Sequence, residues 1–266
     1  MITEIVTPPT GEVVTLSEAK THMVVEHTAD DGYINMLIQA AIAQVETITW
    51  RRLLTQTWLL YLVDWPDGDY IELPYGNLQS VTSVKYRDKD GDWQTMDSDK
   101  YIVDTAFRKG RISLAEDEAW PGDDLYPGLP IKIEFVCGYG AQSRTALTSA
   151  TNASPIVITS VGHGLSTGDR VRIESVIGNT AANGYWTVTK LTADTFSLNT
   201  STGNAAYTSG GTFIKLDVPE AIRAAILILA SNAYAHRESI TIGQPWQDLP
   251  SVVNNLLADY RLGWFA

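Results

Sequence analysis

The residues best equipped for chemistry are scattered along the chain. His22, His27, His163 and His236 include no pair with the carboxylate spacing that a zinc site on one helix face needs, so they are assigned to structure or surface. Asp88, Asp90 and Asp92 around Gly91 suggest a calcium loop, but the glycine comes fourth instead of sixth and no glutamate closes the loop at position twelve. Asp-Gly between alternating strands is instead a hairpin signal. Gly138-Tyr139-Gly140 has the start of a phosphate loop, yet Ser143 stands in place of the third glycine and no helix is expected to follow. Cys137 lies inside an apolar strand pattern and reads as a small core residue, and no Gly-x-Ser-x-Gly elbow occurs. Glu116, Asp117 and Glu118 precede Trp120-Pro121 and read as a solvated acidic loop, although paired carboxylates are the material of acid and base catalysis. No catalytic residue, metal ligand or cofactor site is therefore expected. Of the eight tryptophans, Trp58, Trp93 and Trp186 fall in alternating strands, where packing is the default, whereas Trp246 and Trp264 flank loops and the terminus and are interface candidates.

Charge narrows the function classes further. With 19 basic and 31 acidic residues the net charge is -12, which opposes general affinity for a nucleic acid backbone. Residues 64–124 alone carry 15 acids against 7 bases, two thirds of the excess, so the acidity is local. Asp88, Asp90, Asp92, Glu116, Asp117 and Glu118 are accordingly expected on a negative surface facing a channel or solvent. No apolar run approaches the roughly 20 residues of a membrane span, and the first residues lack the pattern of a signal peptide. A single cysteine forbids an internal disulfide.

The elements follow from periodicity. After an extended leader ending in Pro8-Pro9, Thr15 to Glu18 forms a capping box for a short helix to about Val25. Thr28 and Asp31 repeat that spacing before Ile34, Leu37, Ile38, Ala41, Ile42, Val45 and Ile48, one apolar helical face, with Arg51 and Arg52 placed to complement the helix dipole. From Thr55 to Cys137 short β-branched and aromatic runs, separated by turn residues such as Asp67-Gly68 and Asp90-Gly91, predict antiparallel strands. Residues 146–213 are rich in Ser, Thr, Ala, Asn and Gly, carry only 3 bases and 3 acids, and show evenly spaced strands, which predicts an inserted small barrel or sandwich. Helices return at Glu220 to about Arg237 and Pro250 to Leu262. The former is apolar on nearly every side, which places Ile226 and Leu229 among the interface candidates with Trp246, Trp264 and Phe265. The expected fold is α+β: a core of about four helices and an antiparallel β region from residues 1–145 and 214–266, interrupted by the all-β insert.

The order of these pieces resembles the head-tail connector, or adaptor, family of long-tailed bacteriophages. The resemblance is carried by Leu16-Ser17-Glu18-Ala19-Lys20, Asp30-Asp31, Glu46, Thr57-Trp58, Asp64-Trp65-Pro66, Ile71-Glu72-Leu73-Pro74-Tyr75-Gly76, Val81-Thr82-Ser83-Val84-Lys85-Tyr86, Trp120-Pro121, Gly138-Tyr139-Gly140, Pro219, Tyr234 and Arg237-Glu238. Where that family runs from Gly140 almost directly to Pro219, this chain carries the insert, which itself resembles the small β domain first described in ubiquitin-activating enzymes and seen in phage structural proteins. The resemblance implies a ring of twelve copies in the virion neck, assembled in the host cytoplasm, with the portal protein on one side, a stopper or tail-terminator protein on the other, and DNA passing without specific binding. It implies no membrane partner, no cofactor and no enzymatic activity. Two other classes fit parts of the sequence: a tail or neck decoration binding a receptor or carbohydrate through the insert, and a hydrolase using the acidic β region.

Overall fold

In the computed structural model, which describes residues 2–122, 124–140, 144–236 and 251–262, a short strand β1 (Ile2–Thr7) precedes two helices, α1 (Leu16–Met23) and α2 (Asp31–Thr49). The capping box forms as expected: the Thr15 hydroxyl accepts from the Glu18 amide at 3.3 Å, and the Glu18 carboxylate accepts from the Thr15 amide at 2.8 Å. The second box does not form. Asp30 is the N-cap of α2 and makes no side-chain cap, while the Asp31 carboxylate accepts from Lys20 at 2.6 Å. Nor do Arg51 and Arg52 serve the dipole, because α2 stops at Trp50 in the left-handed conformation (φ 56°) and leaves no basic residue in its last turn.

Seven more strands build the β region: β2 (Gln56–Leu62), β3 (Tyr70–Gly76), β4 (Leu78–Arg87), β5 (Trp93–Thr95), β6 (Tyr101–Asp104), β7 (Lys109–Leu114) and β8 (Ile131–Cys137). They form an antiparallel sheet of order β1-β2-β8-β4-β5 and a second of order β3-β7-β6. The leader is thus an edge strand, which its threonine and β-branched composition favours. On the inner face Leu60, Ile133 and Val84 stand in one row across three strands, all fully buried, and pack with Ile71, Leu73 and Ile112 of the other sheet.

Two further helices, α3 (Glu220–Ala235) and α4 (Ser251–Leu257), complete this region of the chain, α4 running into a 3-10 turn at Ala258–Tyr260. The α3 helix lies against α1, α2 and α4, burying Ile222, Ala225, Ile226, Leu229 and Ala230. This corrects the assignment of Ile226 and Leu229 to a partner interface: at 0% and 9% exposure they belong to the chain's own helical core. An all-apolar helix needs cover on several faces, and here three other helices of the same chain supply it.

The chain divides into two compact units, Met1–Ala141 with Glu220–Ala266, and Gln142–Pro219. The second holds β9 (Arg144–Ala146), β10 (Ser149–Ala150), β11 (Val157–Thr159), β12 (Arg170–Ile177), β13 (Gly184–Lys190), β14 (Thr195–Leu198) and β15 (Ser209–Lys215) in the order β10-β11-β14-β13-β12-β15-β9. The two ends of that order, β9 and β10, are only Leu147 and Thr148 apart; the Leu147 amide donates to Gly211 O and the Thr148 amide to Thr159 O. Residues 144–150 therefore run as one bent strand from β15 to β11 and close the sheet into a small barrel, which removes its free edges. Phe196, Phe213, Ile156, Ile158, Val171 and Val188 fill its core. Fully buried Asn179 is satisfied, donating to Thr151 O at 2.9 Å and accepting from the Asn204 amide at 3.2 Å.

Candidate functional site

A polar constellation in the first unit joins its helices to its β region. Past the left-handed Trp50, Arg51 reaches the far end of the chain: its Nε donates to Tyr260 O at 2.7 Å and its Nη1 to Asn77 Oδ1. The Leu262 amide donates to Thr49 O, and the Gly76 amide to Trp50 O. Gly76 leaves room for these contacts: a Cβ there would stand 2.8 Å from Arg51 Nη1 and 3.0 Å from Leu262 Cδ1, and both side chains would have to shift. Arg52 takes the other side. It pairs with Glu46 at 2.9 Å, and its guanidinium lies 3.9 Å from the Tyr75 ring centre and 4.6 Å from that of Trp58. The second Glu46 oxygen accepts from the Leu53 amide. Glu46, Trp58 and Tyr75, residues that carry the family resemblance, thus meet around an arginine whose role the sequence did not disclose.

A second set of ties fixes the helices to one another. Arg223, buried in α3, donates to Val13 O and to the Glu18 carboxylate, reaching the residues that cap α1. The Tyr234 hydroxyl donates to Asp30 at 2.6 Å, and Lys20 bridges Asp31 and His27 O. Each of these joins a residue near the chain start to one near its end or across a loop. The arrangement is suited to holding shape.

The remaining candidates are placed as follows. Asp88, Asp90 and Asp92 form the exposed β4 to β5 turn, with Gly91 at φ 91°. Asp88 accepts from the Gln94 side chain and from the amides of Asp90 and Asp92, which hold its carboxyl below the usual range. Glu116, Asp117 and Glu118 lie in the loop leaving β7, exposed, with Glu118 3.3 Å from Lys100. The two acidic groups therefore sit on different sheets. Cys137 is buried, and its thiol is pushed up to about 12 by desolvation. Gly138 (φ 125°) lets the backbone approach Leu54 O, where a Cβ would lie at 2.3 Å, so Gly138-Tyr139-Gly140 is a strand junction. His163 accepts from the Leu165 amide and meets Phe196 edge-on, a packing role. Among the described residues no group of three or more His, Cys, Asp or Glu side chains could hold a metal ion, and no helix is long and apolar enough to cross a membrane. Trp246, Trp264 and Phe265 lie outside the described residues.

Residues 13–103 match the family model of the phage gp6-like head-tail connector protein. The match takes in α1, α2, β2 to β5 and most of β6, and with them Glu46, Arg51, Arg52, Trp58, Tyr75 and Asn77. It ends before the second unit, whose likeness to the small domain of ubiquitin-activating enzymes rests on sequence alone. In fold the chain is similar to one from the neck of an empty gene transfer agent particle computed with C6 symmetry, at 18% identity and TM-score 0.60, covering 100% of this chain and 98% of that chain. It is similar also to a chain of the native gene transfer agent virion (17% identity, TM-score 0.60, 100% and 98% covered) and to one from the native neck computed with C12 symmetry (17%, 0.57, 100% and 98%). No curated protein matches the chain.

Proposed function

We propose that this chain, which carries a phage gp6-like head-tail connector segment, is a structural connector in the neck of a phage-like particle. Its copies form a ring beneath the portal, lengthen the DNA channel and dock the stopper or tail. The observation that carries this reading is the family match itself, which falls on the residues that lock the helices to the β region. Neighbours from necks solved with C6 and C12 symmetry support a ring, for which we assign twelve copies. The net charge of -12 suits a wall past which a polyanion must slide without adhering. The reading gives the chain no catalytic step, and no observation favours the decoration or hydrolase classes.

The test is particle assembly without the chain. DNA-filled heads should accumulate that bear no tail, and adding the purified protein should restore joining. Tailed, functional particles lacking the chain would overturn the reading. Contact with the portal through Trp264 and Phe265 is tested separately: a variant shortened before Trp264 should keep its melting temperature and lose binding to portal-containing heads.

A further inference from the structure

The five-stranded sheet ends in two strands whose outer sides are unpaired among the described residues, β1 and β5. The regular stretch of β1 is Ile2 to Ile5, since a bulge interrupts its register after Ile5 and Pro8-Pro9 follow; β5 is three residues long and exposed throughout. Each edge presents apolar surface, with Ile2 54% and Trp93 38% exposed.

The register shows which side chains share a face. Val84, Tyr86, Ile131 and Ile133 point into the core, so Lys85, Arg87 and Lys132 stand on the opposite, outward face, together with Trp93 and Thr95, which pair with Arg87 and Lys85. Lys132 Nζ lies 3.9 Å from the Trp93 ring centre and the Arg87 guanidinium 4.9 Å. On that same face the β1 edge offers Ile2 and Glu4, the latter accepting from Tyr61. The outward face therefore runs from Glu4 on β1 to the cations of β4 and β8 beside β5, where Lys85 pairs with Thr95 at the end away from the acidic Asp88 to Asp92 turn. Edge strands are ordinarily blunted by charge, proline or cover, and the Ile2 to Ile5 edge has only Glu4.

Resting on the connector reading, we propose that β1 of one copy pairs with β5 of the next, so that the sheet continues from subunit to subunit around the ring. A closed ring is built from head-to-tail contacts between two different surfaces of each copy. These edges are two such surfaces, at opposite ends of one sheet, with Glu4 on one and Lys85 beside the other, and each carries backbone groups that lack a strand partner among the described residues. The occupant of β1 is a second copy of this chain.

Disulfide formation in assembled rings tests the pairing, because two cysteines bridge only when their Cα atoms come within about 7 Å. The four double variants combine Ile2→Cys or Glu4→Cys with Trp93→Cys or Thr95→Cys, which spans the alternative registers on the outward face; the native Cys137 is buried. At least one should give a ladder of covalent multimers on a non-reducing gel, while the single variants give none. A second readout does not depend on register: Glu4→Lys should weaken ring formation in light scattering, and adding Lys85→Glu should restore it. Rings that link with none of the four, or a β1 single variant that links to itself, would overturn the proposal while leaving the connector reading intact. Wild-type protein that forms no ring in particles would instead sink the reading on which it rests.

Discussion

Arg223 is 4% exposed, and its charge is answered by Glu18, itself committed to the α1 cap. Removing one member of such a pair strands the other charge away from water. Arg223→Ala should therefore lower stability by about 3 kcal/mol, read as a fall in the urea midpoint, and Arg223→Met with Glu18→Gln should recover most of it. The Cys137 thiol, pushed up to about 12 by burial, should resist alkylation at pH 8 in the folded protein and react promptly once denatured. Asp88 bears on acid stability with a definite sign. Its folded carboxyl lies below the unfolded value of about 3.9, chiefly because Gln94 donates to it, so it favours the folded hairpin above that value. That contribution is lost as pH falls through the folded value, and the difference in β4 to β5 amide protection between wild type and Asp88→Asn should vanish there.

Among elements, those set by neighbours in sequence were readable and those set by distant partners were not. Thr15 and Glu18 are three residues apart and their cap was legible; Thr28 and Asp31 have the same spacing, but the Asp31 carboxylate is taken by Lys20, 11 positions away in α1, so the start of α2 was misread as a second box. The strand periods of β2 to β8 were visible in the pattern, whereas β1 required knowing that β2 would lie beside it. Arg51 and Arg52 looked like helix-end charges because Tyr260, Asn77 and the aromatic pair Trp58 and Tyr75 come from other elements. The apolar pattern of α3 was clear, but only the packed helices show that its cover is the chain itself. The β8 exit gives the element-scale prediction. Gly138→Ala would drive a Cβ to 2.3 Å from Leu54 O at φ 125°, and should cost about 2 kcal/mol or more in thermal or urea unfolding.

At the scale of the whole chain, the two units have separate hydrophobic cores. Residues 142–219 should therefore unfold cooperatively when produced alone. Replacing residues 144–215 with a short Gly-Ser linker should remove one calorimetric transition and leave the other; loss of both would mean that the cores depend on each other. The barrel's closing strand also decides how the second unit answers to tension. Arg144, where the chain enters, pairs with Ile214, one residue before the exit strand ends, so entry and exit lie side by side on antiparallel neighbours. A pull delivered through the two connecting segments loads that ladder from one end, and its hydrogen bonds break in succession instead of sharing the force. The unit is a zipper to a stretching force while remaining an edgeless barrel to thermal motion. In a single-molecule stretching experiment with handles attached at Arg144 and Lys215, it should open strand by strand at low force.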